Sequence, residues 1–225
     1  MDCKMEKSKI QMLYDACNYV FSQEELPNFQ QIQWLKNILN TFKAVDVGID
    51  EFRLDGSPGS GEVMNSNGLI SGQGVSEITY IHIYECDQFS MGIFCFPAGR
   101  TFPLHDHPGM TFTSKPTIGF VGRLVAPEQM SSSMHHVNHR SLFPRSGGNI
   151  HSFTALTPCA ILDVLSPPYS DDLGRPSTYF LDFPIPSLPG YAWLEEREVK
   201  LPCDLVVKGA PYLGPPLDVP DDDLC

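Results

Sequence analysis

Two histidines separated by one residue, His105 and His107, follow an apolar run that is typical of a β-strand. Alternate residues of a strand point to the same face, so the two imidazoles can reach a single ion. Neutral imidazole is a ligand for iron, copper, nickel and zinc. A histidine beside Asp and Pro can also be a solvated turn residue, but two on one face favour a metal site.

A third ligand is expected from a later part of the chain, and His151 is the best candidate. It follows the glycine pair Gly147 and Gly148 and precedes a strand-like run, Ala160–Leu165. A His-x-His strand followed by a lone histidine is typical of a small β-barrel of the cupin type. Zinc is an alternative occupant, because three histidines plus a water also describe a zinc hydroxide site.

The other four histidines are weaker candidates. His82 lies in an alternating run, and its position in that run indicates a sheet face. His135, His136 and His139 lie in a polar stretch without strand periodicity, where we predict a loop.

Composition and charge limit the classes of function. The net charge of −12 disfavours direct binding to nucleic acid, whose phosphates it would repel. Nowhere does an apolar run approach the length of a membrane-spanning helix, so no membrane association is expected. Seven cysteines without a Cys-x-x-Cys pair indicate reduced thiols rather than a disulfide framework. We therefore expect a soluble intracellular protein.

The order of patterns along the chain predicts an all-β barrel preceded by two α-helices. We predict a helical lead-in over 1–54, a flexible glycine-rich linker over 55–76, a barrel domain over 77–215 and an acidic tail over 216–225. Short apolar runs bounded by Gly, Pro, Asn and Asp favour the barrel. Gly190–Arg197 is predicted to form a short helix.

The helices are predicted from apolar residues at three- and four-residue steps. These residues are Ile10, Leu13, Tyr14, Cys17, Val20 and Phe21 in the first helix, and Phe29, Ile32, Leu35, Ile38, Leu39 and Phe42 in the second.

Four motifs carry a resemblance to a known family. The chain resembles the plant cysteine oxidases, thiol dioxygenases related to animal 2-aminoethanethiol dioxygenase, over nearly its whole length with one gap. The motifs are Tyr80–Asp87, Pro103–Thr111, Gly147–His151 and Cys159–Asp171.

The resemblance implies a fold, a reaction and its participants. It implies a cupin double-stranded β-helix that uses Fe(II) and O2 to oxidise an N-terminal cysteine of target proteins to its sulfinic acid. The oxidised targets, such as ethylene-response transcription factors, would then be degraded through the N-degron pathway in oxygen sensing. The enzyme would act as a monomer in the cytoplasm and nucleus.

The resemblance also implies roles for five residues. His105, His107 and His151 would bind iron, while Asp163 and Tyr169 would line the substrate pocket and act in catalysis. Because the three histidines are neutral, they leave the iron ion with its full double charge. A thiolate substrate with an adjacent amine could bind there and lower that charge. Without the resemblance, the sequence favours structural roles, with Asp163 capping a turn at the end of a strand and Tyr169 packing beside two prolines.

The segment between Met110 and His151 departs from the family by being shorter, and Ser177 stands where relatives often have cysteine. We expect one or two barrel strands to be missing or replaced. This departure keeps an alternative open, in which a non-catalytic relative binds metal or target N-termini without turnover. A zinc or manganese cupin acting on a small metabolite and a purely structural module are further alternatives.

Overall fold

The structure is a computed structural model that describes residues 7–23, 25–49, 77–118, 121–125, 140–142, 150–188, 191–198 and 205–220. Helix α1 spans Lys9–Phe21 and helix α2 spans Phe29–Asn40, followed by a short 3-10 helix at Ala44–Val47. Both predicted helices are therefore confirmed. No helix in the described ranges is long and apolar enough to span a membrane.

The N-termini of both helices are capped by polar side chains. The Ser8 side chain accepts a hydrogen bond from the Gln11 backbone N–H in α1. In α2, Asn28 and Gln31 form a reciprocal capping box, with each side chain accepting from the other residue's backbone N–H. These bonds satisfy backbone donors that have no partner within the helix.

The rest of the described chain is dominated by β-strands, arranged in three sheets. The strands are β1 (Glu77–Glu85), β2 (Ser90–Phe96), β3 (Thr101–His105), β4 (Thr111–Ile118), β5 (Val121–Val125), β6 (Arg140–Leu142), β7 (His151–Ala155), β8 (Cys159–Ser166), β9 (Phe180–Pro184), β10 (Ala192–Glu196) and β11 (Val206–Ala210). One sheet has the order β11-β1-β2-β8-β4-β6, a second β3-β7-β5, and a third β10-β9. The fold is an all-β cupin with two added helices.

Side chains along the strands of the six-stranded sheet point alternately to two hydrophobic cores, one on each face of the sheet. On β2, Met91, Ile93 and Cys95 pack in the cluster that contains α1 and α2. Phe96, whose side chain points to the opposite face of β2, packs with Phe102 and other residues of the β3-β7-β5 sheet. Successive side chains of a strand point to opposite faces, so one face of the large sheet meets the helices and the other lines the barrel interior.

The same alternation determines where Asp163 points. Its neighbours on β8, Leu162 and Val164, belong to the core that contains α1 and α2. Ile161 belongs to the core shared with the β3-β7-β5 sheet. Asp163 has the parity of Ile161 and therefore faces the barrel interior.

The predicted helix at Gly190–Arg197 is wrong, because Ala192–Glu196 forms strand β10 instead. This strand pairs antiparallel with β9, with Trp193 opposite Phe183 and Leu194 opposite Asp182. The pairing stabilises an extended chain that local periodicity over so short a segment does not reveal.

Strands β5 and β6 occupy part of the shortened segment between Met110 and His151. Strand β5 pairs with β7, and β6 pairs with β4. Because β7 is paired with β3 on its other edge, the strand that begins with His151 is held on both sides.

Other expectations fall partly outside the described ranges. The predicted linker at 55–76 lies entirely outside them, as do His135, His136, His139 and the last five residues. The four described cysteines, Cys17, Cys86, Cys95 and Cys159, are buried and form no disulfide within the described part of the chain. The proposed domain boundaries stay predictions.

Candidate metal centre

Three histidines converge inside the barrel. His105 ends β3, His107 follows two residues later, and His151 begins β7 directly opposite His105 in the β3–β7 pairing. One ring nitrogen from each lies within 4.8 Å of the others, and all three side chains are buried. The structure thus brings together the three histidines that the sequence singled out as metal ligands.

Hydrogen bonds at the opposite ring nitrogens orient two of these imidazoles. His105 Nδ1 lies 2.8 Å from the Pro103 carbonyl oxygen, which can only accept, so His105 Nδ1 carries the proton. The Tyr169 hydroxyl donates to the Asp106 carbonyl at 2.5 Å, and its oxygen lies 2.8 Å from His107 Nδ1. With the tyrosine proton already committed, His107 Nδ1 donates to Tyr169, which leaves the Nε2 lone pairs of His105 and His107 available.

The spacing of the inward nitrogens fits a shared ion. His107 Nε2 and His151 Nε2 are 3.2 Å apart. Two nitrogens each about 2.1 Å from one ion are separated by about 3.0 Å at a right angle and about 3.4 Å at a tetrahedral angle. The observed distance lies between these values, so this pair of nitrogens fits an iron or a zinc ion.

Aromatic rings hold the imidazoles in place. Phe112 stacks on His107 with ring centroids 4.5 Å apart, Phe153 meets the His151 ring edge-on at 4.6 Å, and Phe102 does the same to His105 at 5.0 Å. These contacts restrict ring rotation and surround the histidines with apolar surface, as is usual where a metal site must be kept from bulk water.

Replacing Tyr169 by phenylalanine is expected to weaken metal binding about 10- to 100-fold, the usual cost of losing an outer hydrogen-bond partner. The change removes the Tyr169 hydroxyl oxygen that accepts from His107 Nδ1–H and keeps the aromatic ring. Isothermal titration of the metal-free protein with Fe(II) under anaerobic conditions measures the effect. Tyr179→Phe is the matched control; equal metal affinity in Tyr169→Phe and wild type would show that this hydrogen bond does not orient His107.

Two of the three histidines, His105 and His107, line a cavity of about 400 Å³. Its described walls are rich in aromatic residues and contain three carboxylates, Glu85, Asp163 and Asp171, but no Lys or Arg. The volume is typical of a site for a small molecule or the end of a peptide. An acidic lining of this kind favours a substrate with a positive charge.

Asp163 is the buried carboxylate of this cavity. Its side chain is only 8 % exposed, and its Oδ1 has no hydrogen-bond partner among the described residues. Burial raises the pKa of Asp163 well above its usual value. A buried carboxylate without a partner is costly for a fold, and a bound cation would offset that cost.

Tyr80 and Gly92 were not singled out from the sequence, yet they shape the wall beside Asp163. Gly92 lies opposite Asp163 in the β2–β8 pairing. A Cβ atom at Gly92 would lie 2.6 Å from the Tyr80 hydroxyl, so only glycine lets this ring cross β2. The lone glycine within the apolar run Ser90–Phe96 was the available signal, since such glycines often mark a close approach.

His82 does not join the site. Its side chain is exposed on β1, opposite Gly92 in the β1–β2 pairing but outside the cavity lining that the structure describes. It therefore serves as a reference histidine for experiments on the metal centre.

Comparison with known proteins gives one family and several curated relatives. Residues 38–126 and 122–217 match the PCO_ADO family. Plant cysteine oxidases 1 and 2 of Arabidopsis thaliana are 37 % and 35 % identical, over 93 % and 92 % of this chain and 80 % and 82 % of theirs. Human 2-aminoethanethiol dioxygenase is 31 % identical over 61 % of this chain and 67 % of its own.

Proposed function

Because the chain belongs to the PCO_ADO family and is a thiol dioxygenase, we propose that it oxidises an N-terminal cysteine of target proteins to cysteine sulfinic acid with Fe(II) and O2. The observation that carries the proposal is the buried, unpartnered carboxylate of Asp163 in the cavity that His105 and His107 of the histidine cluster also line. An N-terminal cysteine supplies the two groups that this arrangement needs, a thiol for the histidine cluster and an ammonium group for the carboxylate.

The reaction balances without a further reductant. The thiol R–SH takes up both atoms of O2 to give R–SO2H, a product that ordinary cellular reductants do not reverse. His105, His107 and His151 would hold the iron, which supplies open coordination positions and the electron-transfer chemistry that lets O2 react with a thiol.

The residues of the chain bind and orient the substrate around that centre. The α-ammonium group is placed against Asp163, whose carboxyl group then ionises because a cation beside it lowers its pKa. The charge-assisted hydrogen bond between them fixes the thiol with respect to the histidines. Tyr169 keeps the Nδ1 proton of His107 in place, and the phenylalanines around the imidazoles exclude bulk water.

The proposed reaction suggests a wider role in the cell. We propose that the targets expose cysteine after removal of an initiator methionine, as implied for ethylene-response transcription factors, and that oxidation marks them for N-degron degradation when oxygen is plentiful. We further propose that the enzyme acts as a monomer in the cytoplasm and nucleus. The net charge of −12 supports contact with target proteins rather than with DNA.

Reconstitution with Fe(II) tests the proposal directly. The loaded protein, supplied with O2 and a peptide that begins with free cysteine, is expected to add two oxygen atoms to the peptide, as read by mass spectrometry. The same peptide with an acetylated N-terminus, which lacks the ammonium group, should react at least about 10-fold more slowly. A protein that holds iron but leaves the free peptide unchanged would be a binding protein without turnover, and the proposal would fail.

A further inference from the structure

The β9–β10 hairpin exposes a row of large apolar side chains. Phe183 and Trp193 lie opposite each other in the pairing, and Leu181 lies two residues from Phe183 on the same face of β9. These side chains are 39 % (Leu181), 47 % (Phe183) and 72 % (Trp193) exposed. We refer to these three residues as the hairpin face. A contiguous exposed patch of this type often marks a protein-binding surface.

The hairpin face continues the wall of the cavity. Tyr179 lines the cavity, forms a β-bridge with His105 and immediately precedes β9. Along an extended chain Tyr179, Leu181 and Phe183 share one face, the first inside the cavity and the others outside it. The distance from Tyr179 to Phe183 is about 13 Å along the strand, which four extended residues of another chain would cover.

The base of the hairpin is fixed to the metal centre. The Asp106 backbone N–H donates to the Thr178 carbonyl at 3.1 Å, and the Thr178 N–H donates to Asp106 Oδ1 at 2.9 Å. The Arg197 N–H, just after β10, donates to the carbonyl of Tyr179, just before β9, at 2.8 Å and closes the base of the hairpin. The two bonds to Asp106, the residue between His105 and His107, join the base of the hairpin to the metal centre, so the hairpin face is held in a set position beside the cavity.

We propose that the hairpin face binds the stretch of target polypeptide that follows the N-terminal cysteine. This inference rests on the proposed function, since a protein substrate whose first residue enters the cavity must pass its following residues out over the wall. The face fits a segment with aliphatic or aromatic side chains a few residues after the cysteine.

The charges around the hairpin indicate which target segments can bind to it. Glu195 lies opposite Leu181 on the face itself, while Asp182 and Glu196 extend from the other side. Glu85 and Asp171 line the cavity. The bound segment should therefore be neutral or basic apart from its apolar residues, because an acidic segment would be repelled.

Two peptides and two matched double variants test the proposal. One peptide ends within the cavity and the other is about twelve residues long, enough to cross the hairpin face; both begin with free cysteine, and the longer one carries apolar residues after the fifth position. Phe183→Ser with Trp193→Ser removes the face. Val45→Ser with Leu213→Ser is the control, since these side chains are similarly exposed elsewhere.

The expected result is a loss confined to the long peptide. Its kcat/KM should fall about tenfold in the hairpin variant through a higher KM, with the short peptide and the control variant unchanged. Anaerobic calorimetry with the long peptide should show the same tenfold loss of affinity, and this readout does not depend on turnover. Failure of wild-type turnover would thus count against the proposed function alone.

Two outcomes would overturn the inference. Unchanged affinity for the long peptide in the hairpin variant would show that the face does not contact the target. A wild-type dimer that dissociates in the hairpin variant, measured by sedimentation, would show that a second copy of the chain covers the face instead.

Discussion

Replacing His151 by alanine is expected to abolish turnover and to weaken metal binding by more than about 100-fold, beyond the usual loss for an outer hydrogen-bond partner. His151 is fully buried and supplies one of the three nitrogens that converge, 3.2 Å from that of His107. Alanine leaves two ligands and a small void in the apolar surroundings of the centre. Metal content after dialysis and the rate of oxygen addition to a cysteine peptide measure the two effects.

His82→Ala is the matched control for this change. It removes an exposed imidazole of β1 that is not part of the cavity lining, so both metal content and rate should remain at the wild-type level. Circular dichroism of His151→Ala checks that the strands persist. If the His151→Ala protein retained iron and turnover, the metal would have to be bound elsewhere, and the three-histidine centre would be wrong.

The outline of the fold follows from local patterns. The spacing of Ile10, Leu13 and Cys17 predicts α1 because one face of a helix must be buried, and α1 does bury these residues. The His-x-His spacing predicts a shared face for His105 and His107 because the period of an extended chain is two. Such regularities require only the residues within one element.

What sequence reasoning misses depends on contacts between distant segments. Strand β10 is stabilised by its pairing with β9, and the short run around Trp193 gives no local sign of that partner. The crossing of Tyr80 over Gly92 requires knowing that β1 lies beside β2 and β2 beside β8. The position of the hairpin beside the cavity likewise depends on the bridge between Tyr179 and His105.

The direction and the burial of Asp163 differ in how far the sequence predicts them. Its inward direction follows from strand parity, but its burial without a partner becomes visible only when the sheets close around it. A fold that keeps such a group accepts a loss of stability, which is common where a binding site requires charge.

Replacing Asp163 by asparagine is expected to lower kcat/KM for a cysteine peptide by about 100-fold, the upper range for a charge-assisted hydrogen bond to an ammonium group. A peptide that begins with a mercaptopropionyl group, which has the thiol but no amine, should react slowly with wild type and no more slowly with the variant. The ratio between the two substrates therefore isolates the contact between Asp163 and the amine. An equal loss for both substrates would show that Asp163 acts on the centre rather than on the ammonium group.

The same substitution is expected to raise the stability of the metal-free protein. Burial raises the pKa of Asp163 above its usual 3.8, so the folded state binds the proton more tightly than the unfolded state does. Stability from this group is therefore lost as pH rises from about 4 through the folded-state pKa, and the Asp163→Asn protein lacks that loss. Thermal unfolding followed across this range should show a gap that widens with pH in favour of the variant. A wild-type protein as stable as the variant at neutral pH would mean that Asp163 already has a partner in the folded chain, and the case for an ammonium substrate would lose its main support.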